Sequence, residues 1–442
     1  MKKIRISDHF GISTILLFSL PSIGMQVVNN TYQLADGYFI SNYIGSAAFA
    51  AENLIFPPLI VLAGVGMMFG SGAAALISHT LGEGDQEKAN GQLSLAIGSL
   101  AVTGILLSLA VFLMLPTIAG WVGAPEELIP QCVEYGRILT ACMPFAIMSA
   151  AMRPLLVTAN RPGLGFKVSV VNASLNILLD WIAVAKLGWG LTGAALATGL
   201  AWVISASIPL SFFANKRNPL HFGRFNRNGK VLGKICYNGS SEMAGTVSYA
   251  LIAMLYNGQL LRYTGAGGVD AYAVTAYVSG LFLAVFYGIA MSMTPVVGYH
   301  LGENNREELR NLRKNGFMLT GGIGLVMAAT AFAFAEPISR IFVGYDPELT
   351  ELSVEALRII CLSYLLSGIT TYASAFFTGM NDGTASLVVS VIKSFAVPLI
   401  LLMALPRWIG RTGIWIVTPL AEIAALAAAV FFFMKYRKKD IL

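Results

Sequence analysis

The sequence predicts an all-α polytopic membrane protein with about twelve transmembrane helices in two pseudo-symmetric six-helix lobes. Its 442 residues are 56% hydrophobic and 12% charged, with a mean hydropathy of +0.69, whereas about a quarter of the residues in a soluble domain are charged. Apolar runs of about 20 residues, the length that crosses a bilayer core, follow one another along the chain. These runs must be helical, because backbone polar groups in lipid need partners within the protein.

The apolar runs are separated by short connections that leave no room for a soluble domain. They predict spans at residues 10–43, 53–80, 93–118, 128–157, 166–186, 190–214, 235–262, 269–300, 316–335, 349–378, 386–405 and 410–434.

An internal repeat at a shift of 220 to 222 residues predicts two lobes of six spans each. Three blocks of the first half recur in the second. His79, Leu81, Gly82 and Glu83 recur as His300, Leu301, Gly302 and Glu303; Val133, Glu134, Arg137 and Ile138 recur as Val354, Glu355, Arg358 and Ile359; Gly190, Thr192, Gly193 and Thr198 recur as Gly410, Thr412, Gly413 and Thr418. We therefore expect an amino-terminal lobe at 1–220 and a carboxy-terminal lobe at 221–442, joined by a linker at about 215–234, as parallel repeats typical of transporters. A channel or a scaffold is the alternative.

Basic residues predict the orientation of the chain. Most of the 29 Lys and Arg, including Arg153, fall in the termini and in the connections on the same side as the termini, so the positive-inside rule predicts a cell membrane protein with both termini cytoplasmic. Lys393 lies inside a span, and we expect its ammonium group to snorkel towards the cytoplasm. The net charge of +6 is thus a topology signal rather than a sign of nucleic-acid binding. The four cysteines form no CxxC pair and predict neither a disulfide nor a cysteine metal site.

Polar residues recur at helical spacing inside two spans of the first half. Asn172, Asn176 and Asp180 lie at i, i+4 and i+8 on span five, and Asn29, Tyr32 and Asp36 share one face of span one. Ionisable groups inside a membrane are costly and usually face a protein interior or an ion path. At 1.5 Å per residue, Asp180, Asp36 and Thr198 lie about 9, 10 and 12 Å below the outer membrane face. We therefore expect these groups to meet.

The repeat is broken at these polar positions. A shift of 220 places Tyr256 opposite Asp36, Ala396 opposite Asn176 and Ile400 opposite Asp180, and only Thr198 has a polar equivalent, Thr418. Two neighbouring carboxylates cannot both ionise cheaply unless a cation neutralises them. Oxygen groups of Asp36, Asn176, Asp180 and Thr198 therefore predict a coupling site for H⁺ or Na⁺ in the first lobe alone. A buried hydrogen-bond network without a ligand is the alternative.

Other residues are candidates for a hinge and a substrate cavity. Pro21 interrupts the hydrogen bonding of span one and predicts a hinge or a static kink. Glu242 on span seven could attract a cationic substrate or could be solvated near the cytoplasmic end. Candidates for polarizable or polar cavity lining are Met25, Gln26, Met291 and Met293, and the alternative for the methionines is packing or lipid contact.

These features resemble the multidrug and toxic compound extrusion (MATE) family. The resemblance rests on the Asp of span one, the Asn-x3-Asp of span five, the LTGAALAT run that ends at Thr198, and the six-plus-six repeat. It implies a cation site at Asp36, Asn176, Asp180 and Thr198, a bending proline at Pro21, and Tyr135 in the same network. Their helical spacing makes Asn172, Asn29 and Tyr32 further candidates for this network. Some family members have a carboxy-lobe site with a Glu on span seven, which Glu242 matches, and an Asp on span ten, which residues 352–378 lack.

The resemblance implies an antiporter that uses an H⁺ or Na⁺ gradient to expel organic cations, drugs and other amphiphiles by alternating access. We expect no organic cofactor, no nucleic-acid partner and a monomer in the lipid bilayer. The rival functions are a flippase of a lipid-linked precursor and a membrane-embedded enzyme. The flippase predicts a strongly basic central cavity, and the sequence has few basic residues inside its spans. The sequence contains no HExxH or GxSxG motif that would indicate an enzyme.

Overall fold

The structure, a computed structural model, describes residues 4–225 and 228–438. Within those residues it contains fifteen α-helices and no strand, which confirms the all-α class. The helices are α1 Ile12–Phe39, α2 Ser46–Gly82, α3 Gln86–Trp121, α4 Ile129–Thr158, α5 Pro162–Asp180, α6 Gly190–Ala214, α7 Gly229–Gly302, α8 Arg306–Ala333, α9 Ala335–Val343, α10 Pro347–Ile360, α11 Tyr364–Gly379, α12 Gly383–Val391, α13 Val397–Ile409, α14 Thr412–Trp415 and α15 Val417–Lys438.

Eleven helical segments of the described chain are long and apolar enough to cross a membrane. Several combine consecutive helices: a π-helical turn at Ile40–Ile44 extends α1, another at Trp181–Lys186 extends α5, and a third at Ile392–Ala396 joins α12 to α13. A 3₁₀ turn at Cys361–Ser363 joins α10 to α11. The predicted spans thus correspond to helices, with two predicted spans inside α7.

Helix α7 folds back on itself at Gly265. A straight helix of its 74 residues would be about 110 Å long, far more than the ~30 Å core of a bilayer. Gly265 has φ +68° and ψ −160°, a region that is almost exclusive to glycine. Across this break the rings of Tyr256 and Tyr272 stack with centroids 4.9 Å apart, although 16 residues of straight helix would separate them by about 24 Å. Helix α7 therefore supplies two antiparallel crossings.

Turns with equivalent backbone conformations occur in both halves. Asp85 accepts a hydrogen bond from the backbone of Lys88 at 2.9 Å, and Asn305 accepts one from Glu308 at 3.0 Å. Each of these helix caps follows a residue with positive φ, Gly84 and Asn304 respectively. Since short polar side chains favour helix N-termini, the repeated pattern includes the starts of α3 and α8.

Helices of the two halves cross at backbone contact distance where α2 meets α7. A Cβ atom at Gly72 would overlap the carbonyl oxygen of Ile235, and one at Gly239 would overlap that of Met68. The ends of the helices repeat this reciprocal contact, because a Cβ at Gly82 would overlap the carbonyl oxygen of Tyr299 and one at Gly302 would overlap that of His79. Glycine thus permits a tight seal between the halves at the ends that the basic residues predict to be cytoplasmic.

The chain around the start of α1 packs against helices of the second half. Phe10 and Phe18 share an apolar cluster with Ile289 of α7 and Tyr372 of α11. The backbone N–H of Phe10 also donates to Glu308 at 2.8 Å. The chain segment before the first span therefore bridges both halves, and the division of the chain at 220 stays a prediction.

Candidate cation site and adjoining cavity

The structure brings four predicted site residues together between α1, α5 and α6. Thr198 of α6 is central: its hydroxyl accepts from the side-chain amide of Asn176 at 3.0 Å and donates to Asp36 Oδ2 at 3.5 Å. Asp180, the last residue of α5, contacts Asp36 directly. Asn176, one turn before Asp180, and Asp180 are completely buried, and Asp36 and Thr198 are 4% and 2% exposed.

The cluster contains more acceptors than donors. Both carboxylate oxygens of Asp180, Oδ1 of Asp36 and Oδ1 of Asn176 are buried and receive no hydrogen bond from any residue that the structure describes. A buried oxygen without a donor is costly, and two carboxylates in contact repel each other unless a proton or a cation lies between them. The oxygen atoms therefore suit a proton or a hard cation such as Na⁺.

Both carboxylate-bearing helices change their backbone winding beside the cluster. The π-helical turn Ile40–Ile44 begins four residues after Asp36, and the π-helical turn Trp181–Lys186 begins immediately after Asp180. Insertions of this kind are frequent at functional sites, because they reorient side chains without ending the helix. The two turns also contact each other. Local rewinding therefore accompanies the approach of α1 and α5.

Two further side chains surround the carboxylate pair. Tyr135 of α4 is completely buried and lies within electrostatic range of Asp36 and Asp180, in agreement with its predicted place in the network. Glu52 of α2 is 8% exposed and interacts electrostatically with Asp36, and its Oε2 atom is buried without a hydrogen-bond partner in the described chain.

Glu52 is not among the predicted site residues because the second span was predicted to begin at residue 53. The repeat contains a signal that would have identified it. A shift of 220 pairs Glu52 with Tyr272, just as it pairs Asp36 with Tyr256. As with Asp36, the position in the second half that is equivalent to this acidic residue is occupied by an aromatic residue.

A cavity of about 250 Å³ lies on the inner side of the cluster. Among its lining residues are Gln26, Asn29 and Tyr32 of α1 and Asn172 of α5, all predicted as candidates. Asn172 is one turn from Asn176, so the cavity wall continues into the carboxylate cluster. The side-chain nitrogen of Asn29 and Oδ1 of Asn172 are buried without partners among the described residues. The first half therefore contains a polar chamber beside its acidic cluster.

The predicted position of Arg153 in a cytoplasmic connection is wrong. Helix α4 continues to Thr158, so Arg153 lies within the helix and lines the cavity. Its Nη1 atom is 3.5 Å from Oε1 of Gln26. Because the side chain points into protein rather than into water, its charge belongs to the cavity and not to the topology signal.

The methionines predicted to line a cavity have different positions. Met25 is completely buried, with its sulfur against Gly165, and Met293 is 1% exposed within the apolar cluster around Tyr372. The prediction is wrong for both, because close packing leaves them no open surface. Met291 is partly exposed on α7.

The remaining two candidates border open space. Glu242 is partly exposed and within electrostatic range of Tyr287, which is 45% exposed. Pro21 lies inside α1 and lines a second cleft of about 820 Å³. Open space therefore adjoins the proline of α1.

The equivalent position in the second half contains aromatic groups in place of acids. The hydroxyls of Tyr256 and Thr418 are 2.9 Å apart, and Tyr256 stacks on Tyr272. Tyr256, Tyr272 and Thr418 correspond to Asp36, Glu52 and Thr198 at a shift of 220. The same scaffold thus holds a cluster that contains no carboxylate.

Lys393 does not reach the cytoplasm as predicted. Its ammonium group pairs with Glu422 of α15 at 3.1 Å, and the carboxylate of Glu422 is only 3% exposed. The pairing joins residues 29 positions apart on two helices, so local sequence patterns carry no sign of it. Both residues belong to a separate polar network in the second half.

Comparisons with known proteins agree with this architecture. The multidrug export protein MepA of Staphylococcus aureus is 22% identical over 420 residues, which cover 94% of this chain and 92% of MepA. The MepA protein of Staphylococcus haemolyticus is 23% identical over 427 residues, 96% of this chain and 93% of that protein.

Solved structures share the fold. A MATE crystal structure in the straight conformation superimposes with a TM-score of 0.91 at 22% identity and 99% coverage of both chains. A variant of the Vibrio cholerae MATE transporter VcmN has a TM-score of 0.91 at 22% identity, with 97% of this chain and 98% of that chain covered. The MatE family profile matches residues 21–182 and 241–403, which together are most of the sequence. This multi-span membrane protein therefore belongs to the MatE family.

Proposed function

We propose that the protein is a cation-coupled antiporter that exports organic cations, drugs and other amphiphiles by alternating access. The observation that carries this proposal is the buried contact between Asp36 and Asp180, in which Oδ1 of Asp36 and both carboxylate oxygens of Asp180 lack donors among the described residues. Such a pair binds a proton or a cation more favourably than it stays empty. Its position beside a polar cavity supports a coupling role.

The coupling ion is H⁺ or Na⁺, and no organic cofactor takes part. Oxygen atoms of Asp36, Asn176, Asp180 and Thr198 would hold it, with Tyr135 and Glu52 in the surrounding shell. The ion favours the arrangement in which α1 approaches α5, and bending at Pro21 changes that arrangement. An ion and a substrate are coupled when each has different affinities for the same two states.

The substrate proposal rests on relatives and on the lining of the open spaces. MepA is described as a multidrug export protein, and an amphiphilic or cationic small molecule would suit the partly exposed Glu242 beside Tyr287. We propose that the chain acts as a monomer in the cell membrane with both termini cytoplasmic, as its basic residues predict.

A flippase of a lipid-linked precursor is the second candidate. Arg153 supports it, because a guanidinium group in the cavity could receive a phosphate. Acidic residues outnumber this one arginine around the first-half cavity and cluster, so we favour the antiporter.

Transport into and out of lipid vesicles tests the proposal. Purified protein in vesicles loaded with a fluorescent organic cation should expel it when an H⁺ or a Na⁺ gradient is imposed, and an ionophore that collapses that gradient should stop efflux. Efflux under neither gradient, together with gradient-independent exchange of a labelled anionic lipid between leaflets, would instead identify a flippase.

Removing the central hydroxyl should weaken ion coupling. In Thr198→Ala, Asn176 and Asp36 lose their shared partner, and a hydrogen bond worth about 0.5–1.5 kcal/mol corresponds to about a two- to tenfold loss of apparent ion affinity. The measurement is the ion concentration that gives half-maximal efflux. Thr418→Ala is the matched control, because Thr418 bonds Tyr256 in the half without the acidic cluster. Equal shifts in both variants would contradict the one-sided site.

A further inference from the structure

The polar network around Lys393 surrounds a positive charge with oxygen atoms. The ammonium nitrogen lies 2.7 Å from Oγ1 of Thr371, 3.1 Å from Oγ1 of Thr370 and 3.1 Å from Oε1 of Glu422. The backbone oxygen of Ser367 is 3.4 Å away. Three of these residues are on α11 and the fourth is on α15, so the nitrogen sits where two helices meet.

The carboxylate of Glu422 is satisfied on both oxygens. Ser367 donates its hydroxyl to Oε1 and Thr370 donates its hydroxyl to Oε2, each at 2.6 Å. Together with the ammonium group, these donors compensate a charge that is almost completely buried. The Asp36–Asp180 cluster differs from this network, because Oδ1 of Asp36 and both carboxylate oxygens of Asp180 lack donors within the described chain.

The backbone brings Lys393 to these oxygen atoms. Lys393 lies in the π-helical turn Ile392–Ala396 between α12 and α13. The neighbouring helix α11 presents Ser367, Thr370 and Thr371 on one face at i, i+3 and i+4. The lysine side chain is 18% exposed, so its charge is largely removed from water. A carboxylate, two hydroxyls and a backbone carbonyl are the oxygen ligands that hard monovalent cations also take.

We propose that Ser367, Thr370, Thr371 and Glu422 form a second monovalent-cation site, and that the ammonium group of Lys393 is the cation that occupies it. The second half therefore has its cation covalently attached and takes none from solution. Shortening Lys393 vacates the position and leaves the buried Glu422 uncompensated, so a dissolved cation of similar charge and small size, such as Na⁺ or methylammonium, should enter.

Direct ion binding tests this inference independently of transport. The background carries Asp36→Asn, so that sodium at the first-half site does not contribute, and the probe is ²²Na⁺ in equilibrium with detergent-purified protein. Adding Lys393→Ala should create binding of one additional Na⁺ per chain. Adding Glu422→Gln to that variant should remove it. The proposal is wrong if Lys393→Ala adds no Na⁺, or if the added Na⁺ persists without the Glu422 carboxylate.

Thermal unfolding provides a second measurement in the same Asp36→Asn background, where Na⁺ at the first-half site does not stabilise the protein. Lys393→Ala should unfold at a higher temperature in Na⁺ or methylammonium chloride than in choline chloride of equal ionic strength, because choline is too large for the vacated position. Adding Glu422→Gln to Lys393→Ala should abolish this preference, and Lys435→Ala, which removes an exposed lysine of α15, should behave as the Asp36→Asn protein does. A Lys393→Ala protein that is equally unstable in all three salts would overturn the proposal.

Discussion

Replacing Asp36 or Asp180 by Asn is expected to reduce gradient-driven efflux to the level of protein-free vesicles. Asparagine preserves the shape of the side chain and can still bond Thr198, but it can neither take up a proton nor neutralise a cation. The cluster therefore loses the difference in charge between its ion-bound and ion-free states, on which ion coupling depends. The measurement is efflux of a fluorescent organic cation from vesicles with equal amounts of inserted protein.

The matched control for this prediction is Asp270→Asn. Asp270 is an exposed acid of α7 on the same predicted outer side of the membrane, and it is not part of the buried pair. The Asp270→Asn variant should transport at the rate of the unmodified protein. Undiminished efflux by both Asp36→Asn and Asp180→Asn would rule out the carboxylate pair as the coupling site.

Gly239→Ala is expected to slow transport by at least about fivefold. Its methyl group would overlap the carbonyl oxygen of Met68 where α7 crosses α2. Overpacking costs about 1–3 kcal/mol, which corresponds to about a 5- to 150-fold loss of the state in which the two helices meet. Because the proposed alternating access needs this seal to form in every cycle, the rate of efflux should fall with the population of the sealed state.

Gly233→Ala separates the steric effect from helix propensity. Gly233 lies on the same helix, and a Cβ there would meet no atom within 4 Å. Replacing glycine by alanine raises helix propensity equally at both positions. The Gly233→Ala control should therefore keep the transport rate of the unmodified protein and be no less stable than that protein. Equal transport by the two variants would show that the α2–α7 contact has no part in the cycle.

Periodic and compositional signals predicted the helices because they depend on residues close together in the chain. The spacing of Asn172, Asn176 and Asp180 is of this kind, and together with span depth it predicted the approach of Asp36 and Thr198 that the structure shows. Their role as cation ligands stays a proposal.

Contacts between residues far apart in the sequence, and the burial that follows from them, were not predicted. The pairing of Lys393 with Glu422 joins two helices, so the lysine had been assigned to the nearest membrane surface. Arg153 was counted with the cytoplasmic connections although the predicted span 128–157 contains it, because the positive-inside rule does not distinguish a cavity-lining arginine near a span end from one in a connection. Residue type alone also does not distinguish a cavity wall from a packed interior, which explains the wrong prediction for Met25 and Met293.

The stacked tyrosines at Tyr256 and Tyr272 affect the electrical balance of the proposed cycle. In the proposed cycle, with aromatic rings in place of acids at these positions, one site exchanges one dissolved cation per turnover. Import of that cation against export of a monovalent organic cation then moves no net charge, and the membrane voltage adds nothing to the driving force. For a neutral substrate one charge crosses, which at 100 mV supplies about 2.3 kcal/mol, enough for roughly a fiftyfold concentration ratio. The charge of each drug would therefore determine how much of the cell's energised membrane the protein can use.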